Sequence, residues 1–254
     1  MIKSRVFCLP AVLVAVLLWS GVTTLHASQE TAQKHFSQGL SALQAGDGSE
    51  AAAQFSQALE LKPDWAEAYI NRGQAYVLQG RMDQALKDFD KALTLAPNAH
   101  EALYNRGRVY TMLGKPDQAV ADYTAALKLK PNDWQILYNR GNAFLDGGKY
   151  QDAIKDYDRA LKLQPNNPFI IHNRGLARLK LGQAEAALAD FNQVLTLDPN
   201  FALALYNRGR ALEKLGRIPE ARGAYRAFLQ AGNPTTEKPL LEKTLQHLKH
   251  LEGK

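Results

Sequence analysis

The tripeptide Asn-Arg-Gly recurs at one fixed interval, and no other feature of the sequence constrains the fold as strongly. Its first copy is Asn71-Arg72-Gly73, and the later copies begin at Asn105, Asn139, Asn173 and Asn207, 34 residues apart each time. A constant period of this length indicates a solenoid, in which each unit buries its apolar surface only against its neighbours. The sequence therefore predicts a linear array of small units rather than one globular core.

The period divides residues 32–235 into six units of equal length. These are residues 32–65, 66–99, 100–133, 134–167, 168–201 and 202–235. Place eight of every unit is glycine, place twenty is alanine, and place twenty-four is phenylalanine or tyrosine. Five of the six units have proline at place thirty-two. Several columns therefore recur in phase, and they fix the register of the units together.

The first half of each unit has the pattern of an amphipathic helix, as the second unit shows. Residues 66–79 place Tyr69, Gly73 and Tyr76 on one stripe at helical spacing, so we expect this stripe to face the core. Gly80 follows, and glycine adopts at low cost the left-handed conformation in which helices often end. The pattern predicts a first helix that ends at this glycine.

The second half of the unit predicts a second helix that faces the first. Asp83 is well placed to cap it, and Ala85, Phe89 and Ala92 form the facing stripe. Pro97 then prevents its continuation. Small residues at places eight and twenty would let the two backbones approach closely while the aromatic residue fills the remaining space.

Over residues 32–235 this pattern resembles the tetratricopeptide repeat (TPR) family. The resemblance is carried by the unit length, glycine at place eight, alanine at twenty and twenty-seven, the aromatic residue at twenty-four and proline at thirty-two. It implies an all-α, right-handed superhelical solenoid of six helix-turn-helix repeats. It also implies a non-enzymatic protein that binds a peptide segment of a partner in a concave groove lined by the first helices.

The resemblance places the groove at places two, five, six, nine, twelve and thirteen of each unit. The predicted partner-binding residues are Asn71, Asn105, Asn139, Asn173 and Asn207 at place six, Tyr104, Tyr138 and Tyr206 at place five, and Arg108 and Arg210 at place nine. Place two holds Glu67, Glu101, Gln135, Phe169 and Leu203. Because place two carries no lysine or arginine, a clamp for a C-terminal carboxylate is not expected.

The asparagine column has two interpretations. Each amide offers a donor and an acceptor, so a row of amides can bind the backbone of an extended peptide without reading its sequence. Alternatively, the asparagines bond to neighbouring helices and fix their register. The tyrosine column has the same two interpretations, groove floor or packing.

Arginine follows the asparagine and is matched by aspartate at place twenty-three. The predicted structural ion pairs involve Arg72, Arg106, Arg140 and Arg174 with Asp88, Asp122, Asp156 and Asp190. An arginine column alone would suggest phosphate or RNA binding, whereas matching aspartates favour partly buried pairs that hold helices together. Arg208 has Ala224 in its own unit, so Asp190 of the preceding unit is its candidate partner.

Residues 236–254 predict one more helix. Leu240, Leu241, Leu245, Leu248 and Leu251 share a face at helical spacing. Repeat arrays need a terminal element with a polar outer side, so we interpret this helix as a cap. A partner-binding amphipathic helix is the alternative.

Residues 1–27 have the pattern of an export signal. Lys3 and Arg5 precede an apolar run of about 14 residues, which is shorter than the roughly 20 that span a membrane, and Ala27 offers a small residue for cleavage. We expect the rest of the chain to be periplasmic or secreted. The alternative is an uncleaved anchor in the inner membrane formed by residues 6–22.

The sequence gives no support for catalysis or for a bound cofactor or metal. The only cysteine is Cys8 in the leader, and His172 stands in the expected groove without an orienting carboxylate nearby in sequence. His247 and His250 lack a third ligand close in sequence, so we expect both to be exposed. A net charge of +6 is too dispersed to argue for nucleic acid.

The sequence thus predicts an exported scaffold or adaptor that binds a protein or peptide in the cell envelope. No nucleic acid or small-molecule substrate is expected, and membrane contact is expected only if the leader is retained. The alternatives are a solenoid that binds RNA or another polyanion through the arginine column and a membrane-anchored subunit of an envelope complex.

Overall fold

The computed structural model describes residues 11–252, with side chains from residue 27 onward. This part of the chain has thirteen α-helices and no strand, which confirms an all-α fold. The helices are α1 (Ala11–Gln44), α2 (Gly48–Leu61), α3 (Ala66–Leu78), α4 (Met82–Leu95), α5 (His100–Met112), α6 (Pro116–Leu129), α7 (Trp134–Asp146), α8 (Tyr150–Leu163), α9 (Pro168–Lys180), α10 (Ala184–Leu197), α11 (Ala202–Lys214), α12 (Ile218–Ala231) and α13 (Lys238–Glu252).

The first helix is much longer than those of the later repeats. It runs for 34 residues, so the predicted junction between leader and repeats falls inside a continuous helix. Residues 1–10, with the predicted basic start of the leader, lie outside the described residues. None of the described helices combines the length and apolar character that crossing a membrane requires.

The first helices end at the predicted glycines. Gly80 has a φ of +72°, and the amide of Arg81 donates back to the carbonyl oxygen of Tyr76 at 2.9 Å. This hydrogen bond adds to the one that the amide of Gln79 donates to the same oxygen at 3.1 Å, and together they satisfy a carbonyl group in the last turn of α3.

The predicted cap at Asp83 is wrong. Helix α4 begins at Met82, and Arg81 holds the N-cap position without a side-chain hydrogen bond. Asp83 is therefore already inside the first turn. There its carboxylate is close to the positive end of the helix dipole, which is a weaker form of stabilisation than a cap.

The glycine at place eight permits a close contact between the two helices of a repeat. A Cβ atom built on Gly73 would lie 2.6 Å from Cε1 of Phe89, whose side chain is fully buried. The same ring from place twenty-four covers Gly39, Gly141, Gly175 and Gly209. The ring of one helix therefore occupies the space that a side chain on the other would need.

The described residues form two compact units, one ending at Val109 and the other beginning at Tyr110. In the first, α1 packs on α2, α2 on α3 and α3 on α4. In the second, every helix from α6 to α13 packs on the next one in the chain. Each unit thus has the nearest-neighbour packing of a solenoid.

The C-terminal helix α13 packs on α12 through a face that differs from the predicted one. Leu248 and Leu251 are buried with Thr244, whereas Leu245 is 45% exposed. The prediction for Leu245 is wrong. The leucines cover a wide sector of the helix surface, and only the part of that sector with Leu248 and Leu251 is buried against the neighbouring helices. Leu248 and Leu251 join the core that contains Tyr225.

Candidate functional site

Three arginines of the Asn-Arg-Gly motif bind the aspartate of their own repeat through two hydrogen bonds each. Arg72 donates from Nε and Nη2 to the carboxylate of Asp88, both at 2.8 Å. Arg140 makes the same pair with Asp156 at 2.6 and 2.7 Å. Arg174 does so with Asp190 at 3.2 and 2.7 Å. These paired hydrogen bonds join the first and second helices of one repeat.

These three arginines and Arg106 also reach back to the preceding repeat, a contact that the sequence analysis missed. Nη1 of Arg72 donates to Ser56 Oγ at 3.0 Å, and Nη1 of Arg140 donates to Thr124 Oγ1 at 3.0 Å. In the other two repeats the acceptors are Asp90, which Arg106 contacts at 2.6 Å, and Asp158, which Arg174 contacts at 2.8 Å. All four acceptors occupy place twenty-five. That column is polar in the sequence, which is the signal that could have identified it.

The charge of these arginines is largely compensated inside the protein. Burial alone would lower the pKa of Arg72, but the hydrogen bonds and the charge of Asp88 raise it above its ordinary value. Asp88, Asp156 and Asp190 are buried beside their arginines. Asp122 is buried as well, and its pairing with Arg106 stays a prediction. The arginine column therefore offers little unpaired positive charge to a polyanion.

The predicted pair of Arg208 with Asp190 is wrong. Asp190 instead accepts hydrogen bonds from Arg174 and from Nη1 of Arg178, the latter at 2.9 Å. Among the described side chains, Nε of Arg208 is a buried donor without a hydrogen-bond partner. Its own repeat has Ala224 where the others have aspartate, so the column is incomplete at this end.

The asparagine column is engaged within the chain. Asn71 and Asn139 donate to the carbonyl oxygens of Glu67 and Gln135, one turn earlier in the same helix. Asn105 and Asn207 are buried, with 8% and 6% of their surface exposed. These amides therefore have fewer free donors and acceptors for a ligand than the row of exposed amides that the sequence suggested.

A continuous chain of hydrogen bonds links three first helices in the second unit. Nη1 of Arg210 donates to Asn207 Oδ1 at 3.1 Å, and Asn207 Nδ2 contacts His172 Nε2 at 3.1 Å. His172 Nδ1 contacts Asn173 Oδ1 at 3.1 Å, and Asn173 Nδ2 donates to Asn142 Oδ1 at 2.9 Å. In this chain the asparagines fix helix register, as the alternative interpretation proposed.

His172 is a buried member of this chain rather than an open groove residue. An amide nitrogen can only donate, so Nε2 of His172 is the acceptor and Nδ1 carries the hydrogen. Burial lowers the pKa of His172, against the opposing effect of hydrogen bonds with Asn173 and the Leu203 backbone. Its ring stacks on Phe201 at 5.3 Å. The imidazole is therefore held neutral and in one tautomer.

The tyrosines at place five are partly buried and pack on their own repeats. The rings of Tyr138 and Tyr157 are 6.2 Å apart, and those of Tyr206 and Tyr225 are 6.0 Å apart. Arg108 lies over the Tyr104 ring at 5.9 Å, and Arg210 lies over the Tyr206 ring at 5.8 Å. Each predicted place-nine arginine is thus held by a tyrosine of its own helix.

A pocket of about 240 Å³ opens on the first-helix face of the first unit. It is lined by Leu43 of α1, by Gln74, Val77 and Leu78 of α3, and by Asn105, Arg108 and Val109 of α5. Six of these seven residues occupy places six, nine, twelve and thirteen of their repeats, and the seventh, Val109, is a core residue at place ten. Of the predicted site residues, the structure brings Asn105 and Arg108 together here. Leu43, Val77 and Leu78 were not singled out, although their places were those expected for the groove.

A second pocket, of about 230 Å³, lies within the second unit where α13 meets α11. Its lining includes the predicted residues Tyr206 and Arg210, together with Lys243 and His247 of α13. His247 is partly buried and its Nε2 contacts Glu213 Oε2 at 2.9 Å, so the expectation of an exposed side chain is wrong for His247, whereas His250 is exposed as expected. Burial alone would raise the pKa of Glu213, but hydrogen bonds with His247 and Tyr225 lower it.

The helix pairs, with polar side chains on their first helices, define the class of protein. It is an all-helical solenoid that acts as a protein-interaction scaffold. The chain belongs to the tetratricopeptide repeat family. One sequence model of this family matches residues 36–100, 82–119, 104–168 and 172–234, and another matches residues 141–202. The resemblance seen in the sequence is thereby confirmed, and the kind of partner is a protein.

Solved structures of similar proteins have the same fold. The TPR protein YrrB, described as having an unusual peptide-binding site, is 25% identical, with 76% of this chain and 99% of that chain covered and a TM-score of 0.65. MamA from Desulfovibrio magneticus RS-1 is 22% identical over 67% and 97% of the two chains, with a TM-score of 0.64. A TPR protein from Parabacteroides merdae is 18% identical over 88% and 93%, with a TM-score of 0.69. A comparison with curated proteins gives no match.

Proposed function

We propose that this protein is a non-enzymatic adaptor that binds an extended segment of a partner protein on its first-helix face, in the cell envelope. The observation that carries the proposal is the pocket on the first unit, because six of its seven lining residues lie at groove places of three successive first helices. Its volume of about 240 Å³ is below the roughly 300–1,000 Å³ of small-molecule sites. A pocket of this size suits one side chain of a peptide.

The chemistry of the pocket supports a peptide ligand. Val77 and Leu78 offer apolar surface, and Leu78 is 56% exposed. Gln74 places an amide group beside that surface, where it can bond to a peptide backbone, whereas the largely buried Asn105 contributes mainly to the pocket wall. The similarity to YrrB, whose description names a peptide-binding site, is a further support.

The location in the envelope rests on the leader. If the leader is an export signal, the protein purified from its host begins at Ser28 and fractionates with the envelope. A mature protein that begins at Met1 and stays in the cytoplasm would contradict this part of the proposal. An envelope protein that keeps residues 6–22 would instead support the membrane-anchored alternative.

Binding can be tested with one pair of variants. Partners captured from an envelope extract are identified by mass spectrometry, and the bound segment is mapped with overlapping synthetic peptides. Leu78→Glu puts a charge into the apolar part of the pocket, so we expect affinity for the mapped peptide to fall at least tenfold. Leu61→Glu changes a comparably exposed leucine at the end of α2 and serves as the control. Equal affinities of the two variants would refute the proposed site.

A further inference from the structure

The first-helix face of the second unit has an apolar end that the preceding repeats lack. Place two is acidic or amide in α3, α5 and α7, but it is Phe169 in α9 and Leu203 in α11. These two side chains are 59% and 41% exposed, and α9 packs against α11. The ring of Phe169 meets that of Phe201 edge-on at 5.6 Å. Phe169, Phe201 and Leu203 form what we call the apolar patch.

The other end of the same helix face is cationic. Arg210 lies seven residues after Leu203 on α11, and it lines the second pocket together with Lys243 of α13. Arg210 is held over the Tyr206 ring and donates to Asn207. Among the described residues, neither Arg210 nor Lys243 forms an ion pair with a carboxylate. Two cations thus line this pocket outside ion-pair distance of any described carboxylate, although Glu213 interacts electrostatically with Arg210 at longer range.

The one carboxylate in that pocket is already engaged. Glu213 accepts hydrogen bonds from Tyr225 Oη at 2.8 Å and from His247 at 2.9 Å. Glu213 is therefore held by its own neighbours, and although its charge also acts on Arg210, one carboxylate cannot balance both Arg210 and Lys243. Charge complementarity favours an acidic group of a ligand at this end of the face.

The distance between the two ends sets the spacing of the ligand. Seven residues of an α-helix span about 10 Å. A polyproline II segment rises about 3.1 Å per residue with three residues per turn, so positions three apart lie about 9 Å apart on one side of the segment. An apolar residue and an acidic residue at that spacing would reach the apolar patch and the cationic pocket together.

We infer that the face of α9 and α11, completed by α13, binds an extended peptide of a partner protein with a large apolar residue and an acidic residue three positions apart. The apolar side chain packs on Phe169 and Leu203, and the carboxylate lies between Arg210 and Lys243. This inference rests on the proposed function in that the ligand is a peptide. It uses residues of the second unit only, so it can fail while the first-unit pocket holds.

The test uses the full chain and fluorescent ten-residue peptides whose centre is Leu-Pro-Pro-Glu, with affinity measured by anisotropy. Replacing the peptide's Leu with Ala, or its Glu with Gln, is expected to weaken binding about tenfold each. In the protein, Phe169→Ser should reproduce the first loss and Lys243→Gln the second. Leu197→Ser and Lys249→Gln, at exposed positions outside this face, are the matched controls and should leave affinity unchanged.

A double-mutant cycle shows whether the two charges meet. If Lys243 contacts the peptide carboxylate, the Glu-to-Gln change in the peptide has less effect on Lys243→Gln than on the wild-type protein. Binding should also weaken as the salt concentration rises. Absence of binding, or affinity unaffected by both Phe169→Ser and Lys243→Gln, would overturn the inference. If binding of the captured partner still depends on Leu78, the proposed function survives that failure.

Discussion

Two kinds of glycine lie in the interiors of these helices, and they differ in which atoms the methyl group of an alanine at the same position would contact. At Gly141 an added Cβ would lie 2.6 Å from Cε1 of Tyr157, whose ring is fully buried and cannot move aside. At Gly223, in α12, nothing lies within 4 Å of an added Cβ. Sequence spacing marks only the first kind, because Gly223 is outside the repeated columns.

The difference predicts opposite effects of the same substitution on stability. Gly141→Ala should lower the free energy of unfolding by up to about 2 kcal/mol, since overpacking costs about 1–3 kcal/mol and the gain in helix propensity returns about 1. Gly223→Ala should raise it by about 0.5–1 kcal/mol. Urea denaturation followed by circular dichroism measures both. Stabilisation by Gly141→Ala would show that the ring does not require the glycine.

The sequence predicted contacts between fixed places of one repeat better than contacts between repeats. The pairs of Arg72 with Asp88 and of Gly73 with Phe89 follow from the period, because both partners recur in step. The acceptors Ser56 and Asp90 were missed because their column varies in chemistry. Whether an asparagine faces solvent or a neighbour depends on how closely two first helices approach, and no spacing within one repeat encodes that distance.

At the scale of helices, α7, α9 and α11 are joined through polar side chains as well as through apolar packing. His172 of α9 is central, since it accepts from Asn207 of α11 and donates to Asn173, which continues to Asn142 of α7. Protonation of His172 Nε2 would turn that acceptor into a donor, which would then face the donor amide nitrogen of Asn207. The junction between these helices is therefore sensitive to the protonation of one residue.

This junction predicts a pH-dependent stability. Because burial lowers the pKa of His172 below its ordinary value of 6.5, the unfolded chain binds the proton more readily than the folded chain. The contribution of neutral His172 is complete above about pH 6.5 and falls as the pH drops toward the lowered pKa, by at most about 1.4 kcal/mol per pH unit. Thermal melts of the wild-type protein and of His172→Tyr between pH 7.5 and 5 measure it.

The tyrosine variant restores the residue type found at this place in three other repeats and does not titrate in that range. We expect its melting temperature to depend less on pH than that of the wild-type protein. His250→Gln, at an exposed position of α13, is the control and should keep the wild-type dependence. The same pH dependence in His172→Tyr would exclude His172 as its source.

At the scale of the whole molecule, an arginine that binds both its own repeat and the preceding one acts as a joint between repeats. Arg140 uses Asp156 on one side and Thr124 on the other, and Arg174 uses Asp190 and Asp158 in the same way. Each joint depends only on positions sixteen residues before and after the arginine. A whole repeat can then be removed without leaving an arginine unmatched.

Deletion of residues 134–167 should therefore leave a folded protein. Arg174 would take the place of Arg140, with Thr124 as its backward acceptor, and Asp190 would remain its forward partner. We expect cooperative thermal unfolding by circular dichroism, with a moderately lower melting temperature because one interface is lost. Deletion of residues 134–166 shifts the register by one residue and should lose cooperativity. Equal behaviour of the two deletions would contradict the dependence on register.

The backward acceptors also alternate in kind. Ser56 and Thr124 are hydroxyls, whereas Asp90 and Asp158 are carboxylates. Along the array, neutral and negatively charged acceptors therefore alternate at the contacts between repeats. The pattern repeats only after two TPR units. Adjacent repeats are not equivalent parts, although their lengths and glycines are the same. Exchanging neighbours would place two joints of the same charge in series, whereas exchanging every second repeat would preserve the sequence of charges.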